Sequence, residues 1–137
     1  MTFTYQLPIS FHLTDAGGIL FYSHVFTLAH QAYEQFVTQK LGYSWNDWFQ
    51  NAQWTVPLKH AEATYHSPLY VGRQCVIEVE ILEVSTSSFV LVSRFNQAQD
   101  ECCAVTKTVH VFCDRIHFQK CPIPPPIRQL LINCKSP

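Results

Sequence analysis

The fold of this chain is decided by residues 14–41, which read TDAGGILFYSHVFTLAHQAYEQFVTQKL. From Val25 onward the apolar residues recur at helical spacing, which predicts one amphipathic helix of about 17–18 residues. Ser23 is a cap-forming residue at its start, and Gly42 follows its end, where a left-handed residue commonly stops a helix. A helix with so wide an apolar stripe must be covered by other parts of the chain.

Directly before the helix, Asp15 stands two residues ahead of the pair Gly17-Gly18. Glycine lets the backbone turn tightly and approach a ligand closely. The exposed N–H groups at a helix start carry a partial positive charge, so a carboxylate beside them suits chemistry at a carbonyl group. An Asp beside glycine is also a common turn former. The pattern alone therefore leaves Asp15 either a turn residue or a catalytic one.

Period-two patterns on both sides of this helix predict β-strands. One long helix followed by several consecutive strands predicts an α+β fold, in which an antiparallel sheet wraps around the helix. A change of face near His60 predicts a β-bulge. The predicted strands are Phe3–Leu7, Trp54–Tyr65, Arg73–Val84, Phe89–Phe95 and Cys102–Cys113.

Two further segments have a different character. Residues 44–49 begin with a cap residue and predict a short helix or an aromatic loop. The aromatic side chains here and just beyond either pack in the core or cover an aromatic acyl group; they are Trp45, Trp48, Phe49 and Trp54. The proline run 122–126 cannot be helix interior or regular sheet, and a last helical turn is expected over Ile127–Leu131.

Length and composition bound the class of protein. A chain of 137 residues predicts a single domain over 1–137, with a proline-rich tail from about 121. Charged residues are 14%, against about 25% in a typical domain, so part of the surface is expected in a homo-oligomer interface. A formal net charge of −1 predicts no general affinity for nucleic acid or membrane. With no signal-like start, a cytoplasmic location is expected.

The six cysteines indicate neither a disulfide framework nor a metal site. None forms a C-x-x-C pair, and no His stands at zinc-finger spacing from them. They are expected to be small apolar fillers in a reducing compartment. The sequence also lacks a P-loop and a dinucleotide fingerprint, so we expect neither a metal nor a cofactor.

Two motifs carry a resemblance to a known family. Residues 15–22, DAGGILFY, resemble the Asp-Pro-Ala-Gly-Ile-Val-Tyr-Tyr signature of the hotdog-fold acyl-CoA thioesterases of the 4-hydroxybenzoyl-CoA thioesterase family. Residues 65–72, YHSPLYVG, resemble the Tyr-x-x-Pro-Leu-x-x-Gly segment of the same family. The resemblance covers about residues 3–130. It implies a hotdog fold, edge-to-edge dimers that pair into tetramers, and hydrolysis of an acyl-CoA to a free acid and CoA.

The resemblance also implies roles for four residues. Asp15 takes the position of the catalytic carboxylate, which attacks the thioester carbonyl or activates a water molecule. The Tyr22 amide takes the position of the oxyanion donor. His30 replaces an Asp that holds the substrate hydroxyl in the hydroxybenzoyl branch, and the resemblance points instead to 1,4-dihydroxy-2-naphthoyl-CoA. His60 lies near the strand expected to line the acyl group.

Alternatives to this interpretation remain at the level of sequence. An aliphatic acyl-CoA or acyl-carrier-protein thioesterase would use the same carboxylate. A non-catalytic acyl-CoA-binding hotdog module would not need one. Glu34 in the helix and Glu62 in a strand are the other acids considered. The turn Ser85–Ser88 lacks the basic residues that related enzymes place there, so the CoA phosphates must meet hydroxyls and amides there, or one of Lys59, Arg73, Arg94 and Lys107.

Overall fold

A computed structural model describes residues 2–98 and 101–135. Five strands form an antiparallel sheet in the order β1-β4-β5-β6-β3. They are β1 (Phe3–Pro8), β3 (Leu58–Tyr65), β4 (Gln74–Val84), β5 (Ser88–Asn96) and β6 (Cys102–Val111). The short β2 (Trp54–Thr55) pairs separately with β7 (Cys113–Asp114), so the predicted strand 54–65 is in fact two strands. The bulge predicted near His60 is confirmed by a register shift between Leu58 and His60.

The long helix is confirmed with the predicted bounds. α1 (His24–Gln35) continues without a break as π-helical turns over Phe36–Leu41, and Gly42 ends it with φ of +78°. The prediction that Ser23 caps its start is wrong, because the Ser23 side chain makes no capping hydrogen bond. Ser23 already has helical backbone angles, whereas a capping side chain reaches back to the helix from an extended conformation.

The sheet wraps around α1, which confirms the predicted α+β hotdog fold. One face of β4 is fully buried against the helix, as its alternating pattern predicts; its residues are Cys75, Ile77, Val79 and Ile81. The helix buries its own apolar stripe in the same core, with Val25, Leu28 and Ala32 fully enclosed. The six cysteines are free thiols, and four of them are buried.

The aromatic segment after the helix belongs largely to the core. α2 (Trp45–Phe49) is capped by Ser44, whose Oγ accepts a hydrogen bond from the Asp47 amide at 3.1 Å. Trp48 is 1% exposed, and its Nε1 donates to the Tyr33 hydroxyl at 2.7 Å. Trp54 is also buried and packs on Trp48. Neither ring can therefore stack on a substrate, whereas Trp45 is 51% exposed.

The proline-rich tail is more ordered than expected. α3 (Pro125–Asn133) is a helix of 9 residues, longer than the single turn predicted. It begins inside the proline run because a first-turn residue needs no N–H for the helix and proline has its φ preset. Ile127 and Leu131 are buried and anchor this helix to the core.

The two edges of the sheet differ. Along β1 exposed residues alternate with partly buried ones, whereas seven of the eight residues of β3 are exposed. The exposed residues of β3 include Leu58 and Tyr65, with 54% and 46% of their surface accessible. A long, unpaired edge with apolar side chains is a template for pairing with another chain. β3 is therefore the more exposed of the two edges of the sheet.

Candidate active site

Asp15 forms a tight turn immediately before the helix. Its carbonyl accepts from the Gly18 amide at 3.1 Å, and its Oδ1 accepts from the Gly17 amide at 2.8 Å. Gly18 has φ of +76°, a conformation that favours glycine. No described residue bonds Oδ2 of Asp15. One carboxylate oxygen thus holds the turn, and the other is open to a ligand.

The second motif is clasped to this turn. The Leu20 amide donates to the Leu69 carbonyl at 2.7 Å, and the Val71 amide donates to the Gly18 carbonyl at 2.9 Å. Isolated bridge pairing joins Ile19 with Tyr70. The two sequence motifs that carried the family resemblance therefore form one local structure, although residues 23–64 lie between them.

The start of α1 offers a backbone donor beside Asp15. The first helical amides are partly used, since His24 donates to the Phe21 carbonyl at 2.9 Å. The Tyr22 amide has no partner among residues 2–98 and 101–135. The Tyr22 carbonyl accepts a hydrogen bond from the Tyr65 hydroxyl, which ties the helix start to β3. Partial burial, and then the neighbouring Tyr22 phenol, raise the pKa of Tyr65.

These groups share one pocket of about 370 Å³, the Asp15 pocket. It is lined by Asp15, residues 19–22 and residues 65–69. The pocket includes Tyr65 and His66, which sequence reasoning did not select as site residues. Their position at the head of the second motif was the available signal.

His30 lies outside the Asp15 pocket. It is exposed on α1 and lines a smaller cavity of about 90 Å³, the His30 cavity. The other lining residues are Phe26, Ala29, Tyr33, Leu58, Ala61, Thr108 and His110. The partly buried ring of Phe49 in α2 lies 6.4 Å from the His30 ring. Within one chain, the structure does not bring His30 into the pocket that holds Asp15 and Tyr22.

His60 lies outside both spaces. It pairs across the sheet with Val109, whereas its neighbour Ala61 pairs with Thr108, which lines the His30 cavity. Since successive side chains alternate between faces, His60 projects from the opposite face of the sheet. Its Nε2 lies 3.4 Å from Oε1 of Glu62, and both side chains are exposed.

A second pocket of about 270 Å³ adjoins the Asp15 pocket through Ser67 and Pro68. It contains Arg73, whose guanidinium lies 4.5 Å from the centre of the Tyr70 ring. Arg73 forms no ion pair with the described residues. Arg94, by contrast, is paired with Glu80 at 3.2 Å. Arg73 is thus an unpaired cation beside the site.

The described residues contain neither a cluster that could hold a metal ion nor a helix that could cross a membrane. In the ranges 2–98 and 101–135, no three His, Cys, Asp or Glu side chains come close enough together to hold a metal ion. Over the same ranges, every helix is too short or too polar to cross a membrane.

The comparisons with known proteins agree with this fold. Residues 9–131 match the sequence model of the Thioesterase-like superfamily, and the chain belongs to that family.

Among its relatives is the 1,4-dihydroxy-2-naphthoyl-CoA hydrolase of Thermosynechococcus vestitus, 31% identical over 124 residues, which span 90% of this chain and 84% of that protein. The protein of the same name from Nostoc punctiforme is 28% identical over 96% of this chain and 87% of its own length.

Solved structures show the same fold. The 1,4-dihydroxy-2-naphthoyl-CoA thioesterase from Synechocystis superposes with a TM-score of 0.88 at 23% identity, and all of both chains is covered. A gentisyl-coenzyme A thioesterase superposes with a TM-score of 0.82 at 26% identity, covering 93% of this chain and 98% of the other. The predicted family is confirmed.

Proposed function

We propose that this protein hydrolyses an aromatic acyl-CoA, namely 1,4-dihydroxy-2-naphthoyl-CoA, to 1,4-dihydroxy-2-naphthoate and CoA. One observation carries the proposal: Asp15 keeps one carboxylate oxygen unbonded in the same pocket as the partnerless amide of Tyr22. A thioester hydrolase needs these two groups, a base or nucleophile and an oxyanion donor. The substrate is supported by the names of the cyanobacterial relatives.

Asp15 serves by one of two routes. As a general base, it takes a proton from water while the water oxygen attacks the thioester carbon; the C–S bond then breaks, and the proton passes to the departing CoA sulfur. As a nucleophile, its Oδ2 attacks the same carbon and expels CoA thiolate, and water then hydrolyses the resulting anhydride. In both routes negative charge develops on the carbonyl oxygen.

The Tyr22 amide stabilises that charge by donating a hydrogen bond to the carbonyl oxygen. It lies two residues before α1, at the end of the helix where the dipole places a partial positive charge. Because the amide has no partner in the described chain, binding an oxyanion breaks no existing hydrogen bond. CoA would extend from this point into the adjoining pocket, where Arg73 meets a phosphate.

An assay of ester hydrolysis tests the proposal. We expect 1,4-dihydroxy-2-naphthoyl-CoA to give a higher kcat/KM than 4-hydroxybenzoyl-CoA, gentisyl-CoA, benzoyl-CoA or palmitoyl-CoA, with release of free CoA as the readout. His30→Ala should narrow the difference between hydroxylated and plain naphthoyl esters. Equal activity on all of these thioesters would still identify a thioesterase, but it would contradict 1,4-dihydroxy-2-naphthoyl-CoA as the preferred substrate. No hydrolysis of any ester would favour a non-catalytic acyl-CoA-binding module.

We further propose that the site is completed by a second copy of the chain. Asp15 and His30 line separate spaces in one chain, so a substrate that meets both needs another protomer. The exposed, unpaired β3 edge supports pairing of two sheets through this strand. The low charged fraction of 14% points the same way.

A matched pair of substitutions tests this assembly. Leu58 on β3 and Leu82 on β4 are similarly exposed, at 54% and 48%. Leu58→Glu should weaken association by about tenfold or more, because an unpaired carboxylate is costly to bury. Leu82→Glu should not change it. Sedimentation at micromolar concentration is the measurement, and a wild-type monomer would contradict the proposal.

The same proposal includes three further expectations, two of which, the tetramer and the pathway, are implied by the family resemblance. The dimers pair into a homotetramer, the enzyme acts in the cytoplasm, and its product enters phylloquinone biosynthesis.

A further inference from the structure

One wall of the His30 cavity is polar, and the proposed reaction does not use the side chains of this wall. β6 turns Thr106, Thr108 and His110 toward the helix, and all three side chains are buried. His110 is 4% exposed and lines the cavity together with Thr108. Its ring stacks on Phe89 at 4.9 Å between centroids and lies 4.5 Å from the Tyr33 ring. A buried imidazole thus packs against two aromatic rings.

Only one nitrogen of that imidazole is used. Nε2 of His110 lies 2.8 Å from the Thr108 hydroxyl. No described residue bonds Nδ1. No fully buried side-chain nitrogen or oxygen among the described residues lacks a partner. Nδ1 must therefore keep access to open space, and the His30 cavity is the space that His110 lines.

The polar side chains of this wall favour an uncharged ligand group. Burial, and then the nearby His30, lower the pKa of His110 to about 3, so its imidazole is uncharged at neutral pH. A neutral imidazole offers one donor and one acceptor; Nε2 faces Thr108, so the tautomer sets whether Nδ1 donates or accepts on the cavity side. A hydroxyl group can accept or donate and so fits either case, whereas a carboxylate or phosphate would find no buried positive charge here.

The size of the cavity limits how much of a ligand enters it. Its volume of about 90 Å³ is below the roughly 150 Å³ of an apolar cavity that binds benzene. The edge of a ring with its hydroxyl fits, while the rest of the ring stays near the mouth. The exposed residues His30 and Leu58 form that mouth.

We propose that His110, oriented by Thr108, binds the phenolic hydroxyl of the acyl group that lies remote from the thioester. This inference rests on the proposed function and adds the groups that recognise the hydroxyl of the substrate. His110 is then a specificity-determining residue and Thr108 a positioning residue. Both act on the choice between esters and leave the reaction at Asp15 unchanged.

The test compares two esters that differ by that hydroxyl, 1,4-dihydroxy-2-naphthoyl-CoA and 1-hydroxy-2-naphthoyl-CoA. The wild-type ratio of kcat/KM should be about 10²-fold or more in favour of the first, because a site built to bond a hydroxyl rejects the analogue without it. His110→Phe keeps the ring stack and removes the nitrogen, and should lower this ratio by at least about tenfold.

Variants of β6 separate recognition from packing. Thr108→Val should reduce the ratio, and Thr108→Ser should retain it. Thr106→Val removes a buried hydroxyl from the same face, away from the cavity, and should leave the ratio unchanged. If His110→Phe does not fold, the comparison of Thr108→Val with Thr108→Ser tests the proposal instead. An unchanged ratio in folded His110→Phe, or no hydroxyl preference in the wild type, overturns the proposal.

A binding measurement keeps this inference distinct from the proposed function. If the wild type hydrolyses no ester, the thioesterase proposal fails, and titration with 1-naphthol and naphthalene still tests the cavity. Tighter binding of 1-naphthol that is lost in His110→Phe supports a hydroxyl site. Equal binding of the two ligands, or a preference that survives in His110→Phe, rejects it.

Discussion

Asp15→Asn should lower kcat/KM for the preferred acyl-CoA by about 10²–10⁴-fold, the usual effect of removing one essential acid–base group. If Asp15 is the nucleophile, the loss should be larger still. The substitution separates the two roles of this residue. Asparagine keeps an oxygen that can accept from the Gly17 amide and so preserves the turn, but it can neither take a proton nor attack the thioester.

Unfolding and kinetics together check this expectation. The thermal midpoint of Asp15→Asn should match that of the wild type, because the hydrogen bond within the turn is retained. Glu34→Gln and Glu62→Gln, which alter the other two acids considered, serve as matched controls and should keep nearly full activity. Turnover of Asp15→Asn within a few-fold of wild type would reduce Asp15 to a turn residue.

Tyr22→Pro should lower kcat by about 10²–10³-fold, the typical loss when one oxyanion donor is removed. Proline deletes the amide hydrogen that we assign to the oxyanion. The native fold should tolerate this, since the amide has no partner in the described chain and the Tyr22 carbonyl that Tyr65 bonds is retained. Tyr22 is also the second residue of the turn that the His24 amide closes onto the Phe21 carbonyl, a position that favours proline.

The control keeps the amide and changes the side chain. Tyr22→Phe should stay within a few-fold of wild type, because the 66% exposed phenol has no assigned role in the reaction. Circular dichroism of both variants checks that α1 is intact. Equal losses in the two variants would mean that the Tyr22 side chain matters, whereas full activity in Tyr22→Pro would move the oxyanion site elsewhere.

Local patterns in the sequence determined most of the architecture. The helix from His24 to Leu41, its stop at Gly42 and the buried face of β4 follow from periodicity and glycine chemistry, which depend only on near neighbours in the chain. The bulge near His60 showed as a change in alternation. The two family motifs also indicated where the Asp15 turn and its clasp would lie, and both were found together.

Long-range contacts decided the rest. From the sequence, Trp48 and Trp54 could either pack in the core or cover the acyl group of a substrate. Only the packing of α2 against Tyr33 and β2 placed them in the core. Likewise, the range Cys102–Cys113 was predicted only as a strand, and the register with β5 turned Thr108 and His110 toward the helix. A period of two specifies that the faces differ, not which one meets the core.

The separation of Asp15 from His30 also belongs to the tertiary structure. Both residues lie on one continuous stretch of sequence, which suggested a shared site. The clasp by residues 69–71 encloses Asp15 on one side, whereas β3 and β6 form the space below His30. Which strands pack beside each end of a helix depends on sheet order, and pairing between strands distant in the chain sets that order.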